Sequence, residues 1–136
     1  MVYYAYNILL IMSKKNCPIC NAVVTGRTDK IFCSIKCKSI DQYEQRQQKE
    51  AFYFKVDRQL RTNRKILRKH NKAGFTTLRA STLASEGFNP KFFTHYWKNK
   101  KGEVYLFVYE YGFLKKRIHA KDKYVLVTWQ DYMSTP

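Results

Sequence analysis

From Lys38 to Lys72 the chain contains no glycine or proline, and its apolar residues recur with a helical period. At about 100° per residue, Phe52, Val56, Leu60, Ile66 and Leu67 share one face. Arg58, Arg61, Arg64, Lys65, Arg68, Lys69 and Lys72 take the opposite one. The pattern predicts one long amphipathic helix over 38–73 with a basic outer side. His70 and Lys72 stand near its end, and Gly74 is its stop signal. A shorter helix is expected over 78–86 (LRASTLASE), closed by Gly87 and by Asn89-Pro90.

Beyond Pro90 the period changes to two. FFTHYW (92–97), VYLFVY (104–109) and YVLVTW (124–129) read as strands, with NKKG (99–102) as a turn and Gly112 in a bend. Residues 76–132 are therefore expected to form a small α+β unit. Its sheet would be an antiparallel meander of three or four strands with a helix on one face. Val104, Leu106 and Val108 alternate with Tyr105, Phe107 and Tyr109. Two apolar faces are the pattern of a strand packed on both sides, and stacking of bases on the aromatic row is the other reading.

Residues 13–40 carry all four cysteines, Cys17, Cys20, Cys33 and Cys37. The spacing is C-x2-C, twelve residues, then C-x3-C. A disulfide framework would spread its cysteines across the domain, whereas two close pairs suit one tetrahedral ion held by four thiolates. Four protein ligands close the coordination sphere, so the expected zinc is structural and not catalytic. AVVT (22–25) and KIF (30–32) read as two short strands joined by a turn over 26–29. Ser34 is an N-cap candidate that would put Cys37 in the first turn of the helix. A knuckle, a hairpin and ligands at a helix start make a treble-clef-like arrangement, with a plain zinc ribbon as the alternative. The fold class expected for the chain is thus α+β: a four-cysteine zinc finger, a long basic helix and an antiparallel sheet.

The charge balance adds a partner. Lysine and arginine number 26 against 10 acids, a formal net charge of +16, which favours a polyanion. The basic helix face, together with Arg27 and Lys30 of the finger, is the expected contact with nucleic acid, DNA or RNA. An acidic protein partner is the competing expectation. Enzymatic chemistry finds little footing. His70, His95 and His119 are scattered, the acids form no cluster, and no phosphate loop or nucleophile elbow is present. A nuclease acting through His95 stands as a third reading. MVYYAYNILLI (1–11) lacks a basic leader and is too short to span a bilayer, which takes roughly 20 apolar residues. Met12 reads as the natural start and residues 1–11 as a gene-model extension, or else residues 1–12 form a short strand pairing with the sheet. A cytoplasmic protein follows from that reading.

CPIC…FCSIKCKSID resembles the CPxC…FCSxxCxxxD pattern of small bacterial zinc fingers, among them the short gyrase-inhibitor zinc-finger proteins. The resemblance covers Cys17 to Asp41 and implies a zinc-bound finger. The gyrase-inhibitor proteins end soon after their finger, so topoisomerase inhibition is not carried over to a chain that continues into a helix and a sheet. The whole layout is similar to that of uncharacterised bacterial zinc-finger proteins with four cysteine ligands.

Overall fold

A computed structural model describes residues 15–136. The readings of residues 1–12 as an extension or a strand lie outside the described residues. The chain divides into two units, Met1–Ala51 and Phe52–Pro136.

In the first unit, α1 spans Ile35–Lys49. Ser34 caps it in extended geometry, and its hydroxyl accepts the backbone N–H of Cys37 at 3.2 Å. The hairpin expected from 22–25 and 30–32 does not form. The knuckle itself makes the antiparallel contact instead, with a bridge between Asn16 and Val23. Cys17 N–H donates to Ala22 O at 2.7 Å, and Val24 N–H donates to Lys15 O at 2.9 Å. Asn21 closes this loop at φ 62°, a left-handed conformation that asparagine tolerates better than most residues. Lys30 N–H to Arg27 O marks the turn that follows.

The long helix expected over 38–73 is two helices. The second, α2, spans Ala51–His70. Glu50 interrupts the run at φ −111°, ψ 31°, and its N–H still reaches Arg46 O. No glycine, proline or cap residue marks the break.

In the second unit α2 leads into β1 (Phe75–Arg79), α3 (Ala80–Ser85), β2 (His95–Lys98), β3 (Val104–Val108), β4 (Tyr111–Ile118) and β5 (Lys121–Thr128). A 3-10 turn, Asp131–Ser134, ends the chain. The strands form one antiparallel sheet ordered β1-β5-β4-β3-β2. Five strands thus replace the expected three or four. Leu78 and Arg79, assigned to a helix by their sequence, belong to β1, and Gly112, assigned to a bend, lies inside β4.

Gly112 is there because of close approach, not backbone conformation. A Cβ on it would lie 2.6 Å from a Phe107 ring carbon and 2.9 Å from Val127. Phe107 is fully buried over it. Between β4 and β5, His119 and Ala120 both take positive φ, 51° and 62°. That is the geometry of a two-residue turn in which Asn-Gly is the usual signal.

Ile66 and Leu67 of α2 pack with Leu83, Phe88, Val108, Phe113, Tyr124 and Leu126 to form the core. Phe88 meets Phe113 edge-on at 5.0 Å and Tyr124 at 5.4 Å. Phe52, expected on the apolar face, is 78% exposed. The helix buries its face from Val56 onward, not its first turn.

Asn63 sits fully buried among these residues. Its Nδ2 donates to Asn89 O at 2.7 Å and Phe92 O at 2.9 Å. Its Oδ1 accepts from Gln59 Nε2 at 2.8 Å and Asn89 N–H at 3.0 Å. Both donors and both lone pairs are used, which is the full capacity of a carboxamide. Replacement Asn63→Leu leaves the loop's backbone groups unpaired in the interior, at about 1–3 kcal/mol for each such group. Urea unfolding should show a loss of at least that size; an unchanged midpoint would contradict the role given to this side chain.

Candidate metal centre and nucleic-acid interface

The knuckle and the start of α1 bring the four cysteines together. Their sulfurs all lie within 4.8 Å of one another. Cys20 Sγ is 3.3 Å from Cys33 Sγ, which is 3.6 Å from Cys37 Sγ. A tetrahedral ion with metal–sulfur bonds of about 2.3 Å needs sulfur–sulfur edges of roughly 3.8 Å, so the set fits one such ion after small adjustments. Cys17 and Cys37 are buried, Cys33 is half-buried and Cys20 is exposed.

The environment treats the four thiols unequally. Backbone amides of Cys20 and Cys33 directed at Cys17 pull its thiol down to about 6. Crowding by the Cys20 and Cys37 sulfurs pushes the Cys33 thiol up to about 12. One sulfur is held ready as an anion, while its neighbour resists ionising beside the others. A cation at the centre removes that conflict, because a bound metal favours the thiolate. The positive end of α1, whose N-cap is Ser34, favours the same anionic cluster.

Arg27 and Lys30 belong to this unit. Arg27 lies 3.5 Å from Asp29, with both side chains exposed. The two cations line a groove beside Ile31, Ile35 and Lys38.

The seven basic residues of the second unit that were expected to meet nucleic acid separate into paired and unpaired groups. Arg61 is held by Asp57 one turn earlier at 3.1 Å. Arg64 bridges to Glu110 in the β3–β4 turn through two contacts, the longer 3.1 Å, and its guanidinium lies 5.8 Å from the Tyr111 ring. Lys69 and His70 share Glu86, just past α3. Arg58, Lys65, Arg68 and Lys72 make no ion pair among the described residues. At about 100° per residue these four fall in one stripe opposite Asn63, Ile66 and Leu67. The stripe runs roughly 15 Å from Arg58 to Arg68, with Lys72 just past the helix end. Lys65, Arg68 and Lys72 surround a shallow depression that also takes in Asn71 and Tyr111.

The sequence pattern did not reach Asn71, Tyr111 or the acids that claim Arg64 and Lys69. Those acids lie 46 and 17 residues away along the chain. His95 is packed among aromatic rings, stacked on Phe107 at 5.6 Å and edge-on to Trp129 at 4.9 Å, with Thr94 Oγ1 at its Nδ1. No helix among the described residues is long and apolar enough to cross a membrane. No family model matches the chain, and no curated protein or solved structure matches it either.

The purified protein should hold one divalent ion per chain by elemental analysis. Cys17→Ser or Cys37→Ser should lose the ion and, in circular dichroism, the helicity of α1; retention of a full complement of metal by both variants would refute the tetrathiolate site. The ion pair beside the stripe carries a pH dependence. The Arg64 guanidinium holds the Glu110 carboxyl below its ordinary value of 4.5. A lowered folded-state value contributes stability above the ordinary value, and that contribution is lost as pH falls through the lowered one. The advantage of the native chain over Glu110→Gln should therefore be present at about pH 7 and be lost in thermal melts as the pH falls below the ordinary carboxylate value. An advantage that persists in acid would rule out this ion pair as its source.

Proposed function

We propose that this protein is a non-enzymatic zinc-finger protein that binds nucleic acid through the basic stripe of α2. On this proposal the ion at Cys17, Cys20, Cys33 and Cys37 is zinc, which the tetrathiolate donor set and the spacing of its pairs support. The finger is treble-clef-like, supported by a knuckle followed by a ligand in the first turn of a capped helix.

One observation carries the functional reading. Arg58, Lys65 and Arg68 of α2, with Lys72 just past its end, make no ion pair among the described residues and share one outward stripe, and Arg61, 79% exposed, lies on the same side. The helix carries one acid, Asp57, so pairing within it leaves the stripe strongly positive. Arg58, Lys65, Arg68 and Lys72 are placed to neutralise successive phosphates, and the +16 net charge supports approach to a polyanion. Arg64 and Lys69 tie α2 to Glu110 and Glu86 and contribute less to the contact.

Fluorescence anisotropy against DNA and RNA oligonucleotides over a salt series tests the reading. Four phosphate contacts give a slope of log K against log salt of about −3 to −4. The double variant Lys65→Ala/Arg68→Ala should reduce that slope by about 2. Failure to bind either nucleic acid at low salt, or a slope indifferent to the double variant, would dispose of it.

A protein-docking role has its own observation. Ile31 and Ile35 are 57% and 85% exposed in the groove of the first unit beside Arg27, Lys30 and Lys38. That mixture of apolar and basic groups suits an acidic protein segment.

A further inference from the structure

The sheet of the second unit has one face against α2 and one turned away from it. On the outward face, in-register residues of β1, β5 and β4 set Arg79 beside Lys123 and Lys123 beside Lys116. Neighbouring strands are about 4.8 Å apart, and like charges directly opposed destabilise a sheet. Glu103 takes Lys116 at 2.8 Å. Arg79 and Lys123 have no acid partner among the described residues. Asp122 lies on the other face, claimed by Arg117 and Lys115. The Arg79–Lys123 pair ends the β1–β5 register with no acid to offset that cost, and a bound anion would remove it.

The next row along the strands lies roughly 7 Å away and is apolar. Thr77, Val125 and Leu114 lead to Tyr105 and Trp97, with Val125 itself buried. The Tyr105 and Trp97 rings are 6.0 Å apart, and Tyr132, 63% exposed, stands edge-on to Trp97 at 5.7 Å. A line of cations beside a line of apolar and aromatic side chains matches a chain that shows charge on one side and flat rings on the other.

We propose that this outward sheet face binds single-stranded nucleic acid, with phosphates along Arg79, Lys123 and Lys116 and bases over the Tyr105, Trp97 and Tyr132 rings at the end of the next row. A duplex turns its bases inward and would leave the aromatic row unused, whereas a single strand engages both rows. The surface is distinct from the α2 stripe and shares with it only the class of partner.

The test uses the full chain with 15-nucleotide oligo-dT and oligo-U, a 15-base-pair duplex and polyglutamate. Both tryptophans, Trp97 and Trp129, pack against side chains of this sheet face, so their quenching reports on it and not on the helix. Single strands should quench the emission and bind more tightly than the duplex. Tyr105→Leu should weaken binding roughly 5- to 100-fold, the range of one lost stacking partner. Lys123→Glu sets opposite charges against Arg79 and Lys116. It should raise the thermal midpoint while lowering affinity roughly tenfold or more. Single-strand binding without quenching, lost in Lys65→Ala/Arg68→Ala but untouched by Lys123→Glu, would overturn this proposal and leave the helix reading standing. Equal competition by polyglutamate would overturn base recognition, and a lower midpoint in Lys123→Glu would overturn the like-charge premise. Binding to no nucleic acid at all would remove both readings.

Discussion

The second unit turns on one carboxamide. Asn63 is buried on α2, and every hydrogen-bonding position it has is taken, three of the four by backbone groups of Asn89 and Phe92 and the last by the Gln59 side chain one turn earlier. Hydrophobic packing alone tolerates some rotation of a helix about its axis, because apolar contact has no direction. A saturated amide does not, since a small rotation would strand several buried groups at once. Asn63 therefore fixes which side of α2 meets the sheet. By doing so it also fixes which side carries Arg58, Lys65 and Arg68 outward. The basic stripe depends on an interaction on the far side of the same helix.

Electrostatic pairing follows from that orientation. Arg64 and Lys69 flank the stripe and reach Glu110 and Glu86 on elements beside the helix. These pairs are partly exposed, so each adds little to stability on its own. Their effect is selective: they withdraw particular cations from the outward charge and leave the rest. The sheet's outward face has the opposite arrangement, since Arg79 and Lys123 are brought together with no acid beside them to neutralise either.

Much of this was legible in the sequence where the governing physics is local. Apolar period located the buried side of α2 at Ile66 and Leu67. Two close cysteine pairs announced the sulfur cluster, and Ser34 announced the cap that positions Cys37. Reading failed where distant residues decide the outcome. Phe75–Arg79 is a strand only because β5 pairs with it; alone, its last residues continue smoothly into a helical pattern. Tyr111–Ile118 hides a strand behind a glycine that makes room for Phe107 and a run of lysine and arginine that faces solvent at one end. His119-Ala120 gives no hairpin signal, because the turn is imposed on it by the strands it joins. The interruption at Glu50 carries no residue-type mark at all.

The strand order has a consequence in time. Among the described strands β1 is made first, and its one partner, β5, is made last. Roughly 40 residues separate them, and at about 5–20 residues per second translation leaves β1 without a partner for about 2–8 s. During that interval β2, β3 and β4 can pair in sequence, but the sheet has no first edge. The sheet can close only once β5 has been made, and the segment that waits longest is a short one whose final residue is a charged arginine, a poor template for unintended strand pairing.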